Sequence, residues 1–179
     1  MPNTTPIYGF RYPTLTEPPN GPDQVRNLAF DLETKIATMD AIINAQITTR
    51  YAGSVSPTND DVIGTSEAIL TEKVTFAAVA GHRYLVVHTS DTAIASGSPS
   101  AGTWNYRYAS DGSLSTAGTL IQQYVGPPPT GGHSTDTRTT VFTAPGSGTY
   151  TIGCGYYTNG GATVRHYANA RRLTIVDIT

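Results

Sequence analysis

Apolar and polar positions follow two different rhythms along this chain. From Val25, apolar residues recur at Leu28, Leu32, Ile36, Met39, Ile43 and Ile47. Those gaps make an eleven-residue repeat, taken twice, with a period of about 3.67 residues. The spacing predicts an amphipathic helix over residues 22–48, with Asp31, Glu33, Lys35 and Asp40 off the stripe. A strict heptad would put Lys35 and Gln46 in the seam, so the eleven-residue repeat fits better. "NGPDQV" supplies the start: Asn20 or Gly21 can cap, Pro22 fits the first turn, and Asp23 suits the positive end of the helix dipole. At ~1.5 Å per residue the helix is roughly 35–40 Å long.

Beyond Gly64 the period drops to two. "AILTEKVTFAAV" sets Val74, Phe76 and Ala78 on one face, and "TWNYRYAS" does the same with Trp104, Tyr106 and Tyr108. Tyr150, Ile152, Cys154 and Tyr156 alternate as a half-buried strand requires. "HRYLVVHT", "TLIQQYV", "TRTTVFT", "ATVRHYA" and "RLTIVDI" complete the strands, and turns fall at "AG", "DG" and "TNGG". "GPPPTGGHSTD" must be a loop, because its prolines and glycines cannot join a ladder. About eight strands over residues 65–179, with turns at short intervals, predict a two-sheet sandwich of jelly-roll type. The turn-rich residues 49–64 read as a linker, with room for a short strand near Arg50 to Val55.

The front of the chain follows neither rhythm. Half of its 12 prolines lie within residues 1–22. Each fixes its own φ and pushes its predecessor toward extended backbone. Residues 1–21 therefore read as an extended arm, with Ile7, Tyr8, Phe10, Tyr12 and Leu15 as adhesive points. A one-sided apolar helix is not stable alone in water. Its stripe can pack on the chain's own sheet or on other copies of itself. The second is the expectation here, and the mixed Ile, Leu and Met seam is compatible with a three-stranded coiled coil.

Composition adjusts this picture only a little. Charged residues are 13% of the chain, about half the usual share, and net charge is −2. Scattered Lys and Arg argue against nucleic acid or an anionic membrane as partner. Nothing resembles a signal peptide or a membrane span, which points to synthesis in a cytoplasm. The single Cys154 excludes an intrachain disulfide and reads as a small core residue.

No catalytic, cofactor or metal set emerges. His82 and His88 share strand parity but stand six residues apart, too far along a strand at ~3.3 Å per residue to share a metal. His133 lies beside Ser134 and Asp136, but a triad is defined by geometry, not composition. Asp60 and Asp61 read as a solvated turn. Six acidic residues follow Gly64 without forming the pair that glycan cleavage needs. Trp104, Tyr106 and Tyr108 suit either sugar stacking or the core, and the core is expected. Tyr156, Tyr157 and the proline loop at 127–129 read as outward display.

The helix signature Val25-Arg26-Asn27-Leu28-Ala29-Phe30-Asp31-Leu32-Glu33, behind an aromatic and proline-rich lead, resembles the N-terminal segments of bacteriophage structural proteins, especially those of actinobacterial phages. "VTFAAVAGHRYLVV", "VFTAPGSGTYTIG" and the closing "RRLTIVDI" are similar to small β-domains of minor tail, fibre and capsid-decorating proteins, related in style to trimeric jelly rolls of the tumour-necrosis-factor type. The resemblance implies a non-enzymatic homotrimer on the virion surface. Its arm would grip the major capsid protein or a tail component and its β-heads would point outward. Capsid decoration or head fibre is the first expectation. A minor tail protein or short tail fibre binding host glycan is the alternative.

Overall fold

The helix forms where the eleven-residue repeat places it. In this computed structural model, which describes residues 3–4, 11–12, 21–127 and 132–179, α1 spans Gly21–Arg50. Before it, β1 (Asn3–Thr4) pairs antiparallel with β2 (Arg11–Tyr12), Asn3 opposite Tyr12. That small ladder satisfies backbone groups that an open run would leave to water. Ile7, Tyr8, Phe10 and Leu15 lie outside the described residues, and Tyr12 is described only as part of β2.

The next strand begins without a linker. β3 (Tyr51–Val55) follows α1 directly, and β4 (Asp61–Ile63) comes after one turn. Within residues 49–64, read as a linker with room for a short strand near Arg50 to Val55, β3 falls at that place and β4 adds a second strand of the sandwich. β3 lies against β12, with Val55 opposite Leu173 and Ser54 Oγ hydrogen-bonded to Thr174 Oγ1 at 3.0 Å. The remaining strands are β5 (Ala68–Ala78), β6 (Arg83–Ser96), β7 (Gly102–Ala109), β8 (Thr119–Gly126), β9 (Ser134–Thr143), β10 (Gly148–Thr158), β11 (Thr163–His166) and β12 (Arg172–Asp177), with a 3₁₀ turn at Ala168–Ala170.

One sheet has the order β5-β10-β7-β8. The other is organised around β6, whose first half pairs with β12 and second half with β11, while β9 runs along its opposite edge. β3 extends this sheet beyond β12, and β4 extends it beyond β11. Setting aside the short β4 and β11, the two layers read β3-β12-β6-β9 and β5-β10-β7-β8. That interleaving of early and late strands is the jelly roll, two Greek keys wrapped into one sandwich. The protein is mainly β, as its rhythm of two predicts.

Inward positions alternate along each strand. Leu70, Val74, Phe76 and Ala78 of β5 face Tyr84 and Val86 of β6, Phe142 of β9, and Leu173 and Ile175 of β12 across the core. Residues 1–49 and 50–179 form two separate compact units.

Candidate functional site

Two arrangements in the described residues bear on function: the face of α1 and a charged chain inside the sandwich. On α1, Val25, Leu28, Leu32, Ile36, Met39 and Ile43 stand 48–68% exposed. Of Ile47 only the helical backbone is described. The helix is braced locally by an Asp23–Arg26 ion pair at 2.8 Å and by Thr34 and Thr38, whose hydroxyls donate to the carbonyls four residues back at 2.8 Å. None of this covers the stripe.

Inside the sandwich, a chain of polar side chains crosses from one layer to the other. It begins at Asp61 on β4, which accepts from the Thr71 backbone N–H at 2.8 Å and the Thr71 hydroxyl at 2.7 Å. Arg171, just before β12, donates from Nη1 to Asp61 Oδ2 at 2.6 Å and from Nη2 to the Asn59 carbonyl at 2.9 Å. Arg171 Nη1 also lies 3.1 Å from Glu72 Oε2. The alignment there misses a hydrogen bond, so that contact is charge against charge. Glu72 sits at an inward position of β5 and is fully buried. Its Oε1 is 2.9 Å from His88 Nε2 on β6, and His88 Nδ1 is 3.0 Å from the Tyr106 hydroxyl on β7. A carboxylate only accepts, so Nε2 carries the proton to Glu72. In the neutral ring Nδ1 then accepts from Tyr106.

Burial sets the electrostatics. It pushes the Tyr106 hydroxyl and the Cys154 thiol well above their ordinary ranges. Burial alone would raise Asp61 as well, but the hydrogen bonds from Thr71 and Arg171 more than offset it and hold the carboxyl low. His166 is a buried titratable side chain with neither ring nitrogen hydrogen-bonded, and its ring packs edge-on to Tyr156 with centroids 4.4 Å apart. Burial first, then the nearby Arg171 guanidinium, depress it to about 3.

These groups join the two layers. His88 has both nitrogens occupied, and Cys154 is buried with its thiol held protonated. Among the described residues no group of three His, Cys, Asp or Glu could hold a metal. No helix among them is long and apolar enough to cross a membrane.

Several residues sit elsewhere than their spacing suggests. His82 and His88 do not meet a common neighbour: His82 pairs with Asp177 at 2.7 Å near the surface, and His88 lies in the core. His133 engages Asp91 at 2.8 Å and stacks on Tyr167 with centroids 4.2 Å apart, while the nearby Asp136 pairs with Arg138. Asp60 and Asp61 are not a solvated turn. Asp60 accepts from the Ala168 N–H at 2.9 Å, and Asp61 anchors Arg171. Tyr156 is fully buried rather than displayed, because strand alternation points it inward. Trp104 and Tyr106 are buried and Tyr108 packs against Phe142, so all three serve the core. Pro128 and Pro129 lie outside the described residues. Spacing missed Glu72, Arg171 and His166. The signal for Glu72 was available, since it shares the parity of Val74 and Phe76.

No protein-family model matches the sequence, and no curated protein sequence matches it. Solved structures overlap weakly. The Eiger TNF from S. frugiperda does so at 8% identity and a TM-score of 0.36, over 59% of this chain and 65% of that one. The infectious bursal disease virus Gt strain does so at 8% and 0.41, over 70% and 32%. A structure described as CBM4 does so at 11% and 0.38, over 72% and 77%. The chain thus spans less than two thirds of the first two. At these scores the jelly-roll assignment rests on the strand order itself.

Proposed function

We propose that the chain is a non-enzymatic structural protein of a bacteriophage particle. It is a homotrimer held together through α1, anchored by its leading arm and displaying its jelly-roll heads outward, as capsid decoration or head fibre. The observation that carries this reading is the exposed stripe on α1. Six aliphatic or sulfur-bearing side chains on one helical face lose free energy to water until something covers them. Another copy of the same helix offers a matching face at matching spacing. The N-terminal resemblance to phage structural proteins supplies the setting, with the arm gripping the major capsid protein or a tail component.

A second reading, a minor tail protein or short tail fibre that binds host glycan, is favoured by one feature. The β7–β8 loop encloses an open cleft of ≈ 280 Å³ lined by Ser110, Asp111, Ser113, Ser115 and Thr119. Hydroxyls and a carboxylate in such a cleft suit the hydroxyls of a sugar.

Light scattering of the full chain is expected to give three copies, and Leu32→Asp is expected to give one, because it buries charge in the seam. A wild-type monomer at micromolar concentration would overturn the trimer. Gel densitometry of purified particles against the major capsid protein separates the two locations. Hundreds of copies mean decoration and a few tens mean tail; absence from particles removes both.

A further inference from the structure

The charges flanking the α1 stripe carry information that the stripe does not. At about 3.67 residues per turn, Lys35 lies roughly 65° to one side of the stripe's mid-line and Asp40 roughly 65° to the other. Both are exposed on α1, and neither has an ion-pair partner among the described residues. Gln24 shares the Lys35 side, and Ala29 shares the Asp40 side. The stripe is therefore edged by a single cation on one side and a single anion on the other, five residues apart.

We infer that α1 associates with further copies of itself in parallel and in register, with Lys35 of one copy paired to Asp40 of its neighbour. This rests on the self-association proposed above and adds its direction. In a parallel in-register bundle, one edge of each stripe faces the opposite edge of the next helix. Residue i then meets residue i+5 of its neighbour, which is the Lys35–Asp40 spacing, and the contact repeats around the bundle. In an antiparallel pair like edges face each other, so Lys35 and Asp40 lie on separate seams and cannot pair. Such flanking pairs are known to choose partner and orientation. α1 ends at Arg50 and β3 begins at Tyr51, so in a parallel bundle every chain enters its β-domain at the same end of the bundle.

The test uses the full chain and sedimentation equilibrium. Lys35→Glu is expected to weaken association by at least about tenfold, as is Asp40→Lys, because each sets like charges against one another at every seam contact. The double variant Lys35→Glu with Asp40→Lys is expected to regain the wild-type affinity. Strong salt should shrink all of these differences. Independently, Val25→Cys lies near one end of the stripe, and oxidation should link it to itself only if the helices are parallel and aligned. Cys154 is buried and does not compete. If Leu32→Asp leaves the assembly intact, the stripe reading itself fails. If Leu32→Asp dissociates it while the charge variants change nothing and the Val25→Cys chains do not link, self-association stands and the parallel arrangement is wrong.

Discussion

Glu72 reaches the interior because β5 alternates and its neighbours at 70, 74, 76 and 78 must face the core. Once there it has to be answered, and Arg171 and His88 answer its two oxygens. Removing one member of a buried ion pair costs more than the pair contributes, because the partner's charge stays behind. Glu72→Leu is therefore expected to lower stability by about 3 kcal/mol or more in urea unfolding. Tyr106→Phe, which removes one neutral hydrogen bond to His88, should cost only about 1 kcal/mol. His166 gives the interior a pH dependence. Its folded value of about 3 lies below the ordinary histidine value of about 6.5. Between these limits the unfolded chain binds the extra proton, so stability is complete above pH ~6.5 and falls as pH drops toward 3. Arg171, His88 and Arg138 oppose charging, and Asp61 alone favours it. Asp61 and Asp177 are also held low, but their stabilisation is lost only as pH falls below about 4. The pH dependence of urea unfolding in wild type and His166→Leu should therefore diverge between pH 6.5 and 4, with the wild type losing more. Equal slopes would remove His166 as the cause. Parity in the sequence suffices to send Glu72, Cys154 and Tyr156 inward. It could not name Arg171 as the partner, because the two residues meet only after β12 has crossed to the centre of its sheet.

At the scale of elements, β6 organises one whole layer. It is long enough to carry β12 and β11 in succession on one edge while β9 follows the other. A strand that serves two partners must hand over cleanly at its end. Gly97 closes β6 with φ +75, and a Cβ there would lie 2.9 Å from Ala162 Cα, on backbone that cannot yield cheaply. Gly112, in the turn between β7 and β8, has φ +78 but open space around it. Gly112→Ala should thus cost about 1–2 kcal/mol, the left-handed backbone penalty alone. Gly97→Ala should cost clearly more, and equal midpoints in thermal unfolding would contradict the close packing. The long strands were readable because ten or more residues of alternation leave little choice. β3 was readable only as room for a short strand, and β4 was not readable. Five residues with a central glycine and three residues opening on an aspartate give no period to detect, and their place is fixed by strands more than a hundred residues away. The helix was readable for the opposite reason: its repeat is local, and its register needs no partner to be seen.

For the molecule as a whole, the described residues of the hydrophobic core run from Ala52 to Ile175, all within the 50–179 unit. The helix has the reverse character, with a long exposed apolar face among its described residues. These two facts predict different dependences on concentration. A chain beginning at Arg50 should fold cooperatively, stay monomeric, and melt at a temperature independent of its concentration. The full chain should associate, and its helical signal in circular dichroism should melt at a temperature that rises with concentration, since association stabilises only the folded helix. Leu32→Asp should abolish that rise and leave the β-sheet transition where it was. If instead the 50–179 fragment fails to fold, the head depends on α1, and the stripe is needed within each copy rather than between copies. A helical transition unmoved by dilution would point the same way. Sheet and stem signals can be followed in one sample, so a single melting series at several concentrations decides between a head that carries a sticky stem and a head that its stem completes.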